Sequence, residues 1–181
     1  MNSFYTLREL SDLGFKSVGQ NVLISCFARF YESENIEIGS NVRIDDFCIL
    51  SGKIKLGSCI HIAAYTALFG RFGIEMEDYT GLSPRCNVLS ATDDSSGDYL
   101  IGPMIDSKYT NVTGGKVLIK KFSQVGTNCV ILPGVTINEG VAVSAMSLVN
   151  QDLDAWKIYG GIPAIYSKER SKKLLDINLD A

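Results

Sequence analysis

Few side chains in this 181-residue chain can do chemistry, and that narrows what it can be. There is one histidine, His61, in the string CIHIAAYTA, and an adjacent carboxylate pair, Asp93-Asp94, in SATDDSSGDY. Five cysteines (Cys26, Cys48, Cys59, Cys86 and Cys129) form no C-x-x-C pair. Their odd number argues against a closed disulfide framework. One imidazole among scattered thiols does not make a zinc ligand set, so no metal is expected. A basic cluster near the end, Lys168, Arg170, Lys172 and Lys173, reads either as the solvated face of a short helix or as a phosphate site. A hydrophobic content of 46% with 20% charged residues is an ordinary globular balance, and the net charge of −3 gives no electrostatic reason to expect nucleic acid. No apolar run approaches the roughly 18 residues of a membrane-spanning helix, and the N-terminus lacks a signal-peptide pattern. A cytoplasmic protein without membrane insertion is expected.

The elements that hold these groups follow a period of six. Between Val117 and Val149 an aliphatic residue returns at Ile119, Val125, Ile131, Ile137, Val143 and Val149. Four places after each of the first five comes a small or β-branched residue: Ser123, Cys129, Val135, Val141 and Ser147. Six fits neither the helical 3.6 nor the alternation of a long strand. It is the hexapeptide repeat of a parallel β-helix, with three short strands to a triangular coil. The same phase picks out Val18, Ile24 and Phe30, then Ile38, Ile44 and Leu50, then Leu56, Ile62 and Leu68, then Met76, Leu82 and Val88. These coils begin 20, 18 and 20 residues apart, which implies two-residue insertions at some corners, with bulges near Phe30, Phe69 and Phe72. Cys48, Cys86 and Cys129 take the small fifth position and read as packing residues. His61 takes the sixth, outward position. Asn87 reads as a substrate ligand or as part of an asparagine ladder at a corner.

Residues 1–17 lack the repeat. Thr6 and Glu9 make a capping box, so a short helix is expected to end near Gly14 and to cover the open first coil. The β-helix is assigned to residues 18–152. Residues 91–116 interrupt it with a segment rich in Asp, Ser, Gly and Tyr. The apolar Tyr99, Leu100, Ile101, Met104, Ile105 and Tyr109 mark that segment as an ordered loop packed against something, such as a neighbouring subunit. Residues 153–181 form a tail that turns at Gly160, Gly161 and Pro163, followed by an expected amphipathic helix over Ser167–Leu175.

The coils, the interrupting loop and the ending VAVSAMSLVNQDLDAWKIYGGIPA together resemble the left-handed β-helix acyltransferases, in particular the sugar O- and N-acetyltransferases, over roughly residues 18–170. The left hand is implied by this resemblance alone, since parallel crossovers generally favour the right. The resemblance also implies a homotrimer with active sites between subunits and acetyl-CoA lying along the last coils. Gly126, Ser144 and Ala145 would then border the pantetheine arm, with corner packing as the alternative for Ser144 and Ala145. Pro163, Lys168 and Arg170 would lie near the adenine and the phosphates.

Many members of that family carry a histidine early in the loop, in a context like T-A-T-H. Here the string is Ser90-Ala91-Thr92-Asp93-Asp94, so Asp93 stands where the histidine would be. A hydroxyl attacking a thioester needs a base with a pKa near neutrality, and an ordinary aspartate near 3.9 is a poor one. A neutral amine already has its nucleophilic lone pair, and Asp93 or Asp94 could orient it. The departure therefore points to an amino-sugar acceptor. Asn87, Arg85, Tyr99 and Tyr109 are acceptor-site candidates by position. The string around His61 resembles the H-[IV]-[AS] stretch of amino-sugar N-acetyltransferases, and His61 is either a site residue or structural. The expected activity is acetyl-CoA-dependent N-acetylation of a nucleotide-linked amino-deoxy sugar for surface polysaccharide. One alternative is a galactoside or glycan O-acetyltransferase with His61 as base; another is a non-catalytic structural module. The γ-type carbonic anhydrases share the coil but need three histidines, which this chain lacks.

Overall fold

The computed structural model describes residues 3–177 and winds them into a parallel β-helix. The residues that recur every sixth place form its core. Ile24, Ile44, Leu50, Ile62, Leu68, Leu82, Val88, Ile119, Val125, Ile131, Ile137 and Val149 are each at most 1% exposed. Full burial of such a side chain stabilises by about 1.5–3 kcal/mol, so this column dominates the fold. The coils stack in register: Ile24 pairs with Ile44, Ile62 with Leu82, and Val125 with Val143. Val18, at the first coil, is 39% exposed. Cys48, Cys86 and Cys129 are buried free thiols, each with its sulfur against a backbone carbonyl of a later residue at 3.1–3.2 Å. Burial pushes the Cys48 and Cys86 thiols up to about 11, which keeps them protonated and inert.

The short helix forms over Leu7–Asp12 with its capping box complete, and Leu10 inserts into the core of the first coil. Phe30 is covered from the same side by an edge-on contact with Phe15, ring centroids 4.9 Å apart.

The three-strand coil expected from the repeat is modified at one corner. Strands Ile49–Leu56 and Ala67–Met76 run through that corner without a break, so two faces merge into one ten-stranded sheet beside an eight-stranded one. Their pairing shifts between Gly52 and Ile54, opposite the two extra residues around Arg71 and Phe72. A Cβ on Gly70 would meet the Lys53 carbonyl oxygen at 2.6 Å, so glycine is what lets these coils close up.

Many of the other corners use left-handed residues that are not glycine, including Phe47, Tyr65, Tyr79 and Phe122. Side-chain stacking between coils offsets the backbone cost of about 1 kcal/mol each. Phe47 stacks on Tyr65 at 5.0 Å and Tyr79 on Phe122 at 5.4 Å.

The C-terminal helix does not form. Ile165–Glu169 is instead a strand antiparallel to Lys157–Gly160, followed by a single 3-10 turn over Lys173–Asp176. Lys157–Gly160 is the last parallel strand of the eight-stranded sheet, and without Ile165–Glu169 its edge would leave backbone groups unpaired. That tertiary demand outweighs the helical pattern of the tail.

Candidate active site

The loop is built rather than loose. Ala91–Thr92 pairs with Thr113–Gly114 to close its neck, and a 3-10 turn spans Ser107–Tyr109. Ser90, buried at the neck, accepts from the Phe72 amide at 2.9 Å through its hydroxyl. Asp93 and Asp94 follow directly after the neck.

Asp94 is consumed locally. Its Oδ1 accepts from the amide of Ser96 at 2.9 Å, and Asn111 Nδ2 donates to Oδ2 at 3.4 Å across the loop. The hydrogen bond from the Ser96 side chain, helped by the Ser96 and Gly97 amides and by Asn111, holds its carboxyl below the usual range. The Asp93 carboxylate has no such partner among the described residues. It lines a cleft of about 1120 Å³ between the loop and the ten-stranded sheet. Of the two acids expected to orient an amine, Asp93 lines the cleft and Asp94 is hydrogen-bonded within the loop.

His61 does not join them within one chain. It stands on strand Ile60–Ile62 of the eight-stranded sheet, between Arg43 and Gly81 in register. Its Nε2 lies 2.7 Å from Asp45 Oδ2, and Arg43 Nε donates to Asp45 Oδ1 at 2.7 Å. Burial alone would raise the Asp45 carboxyl, but hydrogen bonds from His61 and Arg43 outweigh it and hold the carboxyl low.

Among the acceptor candidates, Asn87 projects from the outer face of the ten-stranded sheet, flanked by Ala67 and Val130. The asparagine ladder exists elsewhere, where Asn21 Nδ2 donates to Asn41 Oδ1 at 2.8 Å. Arg85 sits at a left-handed corner with its guanidinium 5.5 Å from the Tyr65 ring centroid, away from the cleft lining. Tyr99 and Met104 are exposed at the loop tip, 47% and 93% respectively, and Tyr109 lies under Lys108.

The residues expected to border the acyl donor divide as well. A Cβ on Gly126 would meet the Ala145 amide nitrogen at 2.5 Å, so coil stacking already requires glycine there. Ser144 and Ala145 are exposed on the following coil, small enough for a thin ligand to lie against backbone. Pro163 and Lys168 are exposed in the tail. Arg170 is half-buried and bonded to the helix. Its Nη1 donates to the carbonyls of Phe122 at 2.7 Å, Gly140 at 2.9 Å and Val141 at 3.2 Å, and desolvation lowers its pKa. Those carbonyls lie at the coil corners, where Nη1 ties the tail to the helix.

The cleft also contains cations that the motif reading passed over. Lys53 and Arg71 line it and take part in no ion pair among the described residues. The available signal was the alternation Ser51-Gly52-Lys53 and Phe69-Gly70-Arg71, which turns the charged residues outward on neighbouring coils.

No family model matches the chain. It is 44% identical over 172 residues to the dTDP-4-amino-4,6-dideoxy-D-glucose acyltransferase of Escherichia coli, covering 93% of this chain and 90% of that protein. Its structure matches AntD, an N-acyltransferase from Bacillus cereus solved with dTDP and 3-hydroxybutyryl-CoA, with a TM-score of 0.94. That pair is 54% identical over 97% of this chain and 94% of AntD. Other AntD structures carry a changed serine or a changed aspartate, with coenzyme A and either dTDP or dTDP-4-amino-4,6-dideoxyglucose bound. A hexapeptide-repeat acetyltransferase from Vibrio cholerae, VCA0836, shares the fold with a TM-score of 0.59 at 18% identity, covering 91% of this chain and 80% of that one. A hexapeptide coil with an extruded loop beside a cleft thus defines an acyltransferase of the left-handed β-helix class. Within that class the chain belongs to the family of dTDP-4-amino-4,6-dideoxyglucose acyltransferases.

Proposed function

We propose that the protein transfers an acyl group from acyl-CoA to the amine of a dTDP-linked 4-amino-4,6-dideoxy sugar. The observation that carries this is Asp93, an unpartnered carboxylate at the loop neck where a hydroxyl-activating histidine would otherwise stand. The sugar amine, once neutral, attacks the thioester carbonyl carbon directly. The C–N bond forms, the C–S bond breaks, and the amine proton ends on the departing thiolate, a stronger base than a carboxylate. Asp93 accepts a hydrogen bond from the amine and so fixes the direction of attack. Small exposed residues at Ser144 and Ala145, with Lys168 beyond them, suit the pantetheine arm and phosphates of the donor.

The two positions changed in AntD are a serine and an aspartate ten residues apart, the spacing of Ser83 and Asp93 here. Those residues flank strand Asn87–Leu89 on opposite sides, with Ser83 before it and Asp93 beyond it. They share a site most simply if a neighbouring helix completes it, which favours a homotrimer with sites between subunits and gives the exposed loop tip a surface to meet. Both substrates are products of cytoplasmic metabolism, and we place the protein there.

The His61–Asp45 contact supports a second reading, because a carboxylate beside an imidazole is how a general base is oriented. In that case the enzyme acylates a hydroxyl, with His61 facing the cleft of a neighbouring subunit. Acyl-CoA-dependent thiol release separates the two readings. Turnover on dTDP-amino sugars and not on galactosides supports N-acylation. Turnover on hydroxyl sugars that vanishes in His61→Ala overturns it.

A further inference from the structure

We propose that residues 69–75 clamp the neck of the loop, and that Phe72, Glu75 and Lys116 are positioning residues that act on the acceptor amine through Asp93. This rests on reading Asp93 as the carboxylate that orients the amine. The loop has little else to fix it. Among the described residues, every hydrogen bond and ion pair of residues 93–112 is made to another residue of the loop, as between Asp94 and Ser96, Leu100 and Tyr109, and Asp106 and Lys108. The loop is therefore a body joined to the helix at its neck, where Ala91–Thr92 pairs with Thr113–Gly114. Asp93 is the next residue, so play at the neck reaches its carboxylate directly.

One stretch of a single strand meets both sides of that neck. Between Gly70 and Ile74 the strand Ala67–Met76 carries Arg71, Phe72 and Gly73, where its neighbour Ile49–Leu56 turns the same corner with Lys53 alone. Closing the coil therefore does not need the extra residues, and Phe72 at 43% exposed adds no core. What they touch is the loop. On the incoming side, the buried Ser90 hydroxyl accepts from the Phe72 amide and donates to the Phe69 carbonyl, both at 2.9 Å. On the outgoing side, the Phe72 ring covers Gly114, where an added Cβ would come within 2.8 Å of it. The chain then passes Gly73, where a Cβ would stand 3.4 Å from Lys116 Cγ, and Val117 pairs with Ile74. Lys116 Nζ reaches Glu75 at 2.6 Å, and Lys55 on the preceding coil holds the same carboxylate at 3.1 Å. The hydrogen bond from Lys116, joined by that from Lys55, keeps the Glu75 carboxyl below its usual range. A half-exposed ion pair adds little to global stability. It acts instead on the local opening of the segment it ties down.

The test joins two readouts on the full-length protein and its variants Phe72→Ala, Lys116→Met and Lys116→Arg. Hydrogen exchange is followed at the amides of positions 72 and 115, which bond to Ser90. Acyl-CoA-dependent thiol release with a dTDP-amino sugar is measured with and without Asp93→Asn. Phe72→Ala and Lys116→Met should speed exchange at the neck about tenfold with the melting temperature kept, and Lys116→Arg should restore it. The same two variants should lower kcat about tenfold while the KM for acyl-CoA stays within about twofold. In the Asp93→Asn background they should lower kcat less than about twofold further, because the group they position is gone. A tenfold loss that persists without the carboxylate overturns the proposal, as does unchanged exchange at the neck. Faster exchange with an unchanged kcat overturns it too, leaving a structural contact. A wild type that acylates no amino sugar sinks the N-acylation reading, and with it the role of the clamp on the amine. Exchange at the neck then decides alone whether the clamp holds the loop.

Discussion

Two outward faces of this β-helix carry charge, and they treat it in opposite ways. On the eight-stranded sheet, Arg43, Asp45 and His61 satisfy one another within the chain. On the ten-stranded sheet, beneath the loop, Lys53, Arg71 and Asp93 face the same cleft and pair with nothing among the described residues. A paired surface cluster is mostly neutral bookkeeping for stability. Exposed charges gathered on one cleft without a partner stay available to a charged ligand. The contrast recurs at smaller scale between Asp94, held by Ser96 and Asn111, and Asp93 beside it, and between Arg170 and Lys168 in the tail.

The strongest way to break the comparison is at Asp93. Asp93→Asn should lower kcat/KM for the amino sugar about a hundredfold, measured by thiol release, while the melting temperature stays put. An unaffected rate would put Asp93 with the structural charges.

Arg170→Ala should act on stability. Losing the donor to three carbonyls is expected to cost about 2–3 kcal/mol in chemical denaturation, with the KM for acyl-CoA unchanged. A raised KM at native stability would return Arg170 to the donor site. Lys168→Ala should behave in reverse, raising the KM for acyl-CoA about threefold to fivefold and leaving stability alone.

The smallest effects belong to the paired face. For amine transfer, His61→Ala should keep activity within about twofold. Asp45 has a lowered carboxyl, so its stabilising contribution is present above the unfolded value near 3.9 and is lost as pH falls through the folded value. Asp45→Asn should therefore flatten the fall in melting temperature on acidification between about pH 5 and pH 3. An unchanged acid profile would show that the triad contributes nothing to folding.

Much of the solenoid was legible because its core demand is local. A coil closes only when an apolar residue returns every sixth place, and Ile44, Ile62 and Leu82 announce that return without help from distant sequence. The small fifth position of Cys48, Cys86 and Cys129 and the capping box of Thr6 and Glu9 are legible for the same reason. Asp93 was visible as a departure from the family pattern. The tail was misread because its 3.6-residue pattern competes with an open sheet edge that exists only once the last coil has formed. The partners of Arg170 were not legible for a related reason, since its three carbonyls lie 29 to 48 residues away in the chain.

The sequence by itself therefore determined the period, the core and the place where the chain leaves the helix, since these depend on residues within one or two coils. Only the tertiary structure decided which charges are paired. Register brings Asp45 to His61, brings Arg170 to the corner carbonyls, and sets Lys53 and Arg71 on one cleft. Contacts between coils join residues about twenty positions apart, and side-chain type does not reveal a partner at that separation until the coils are stacked.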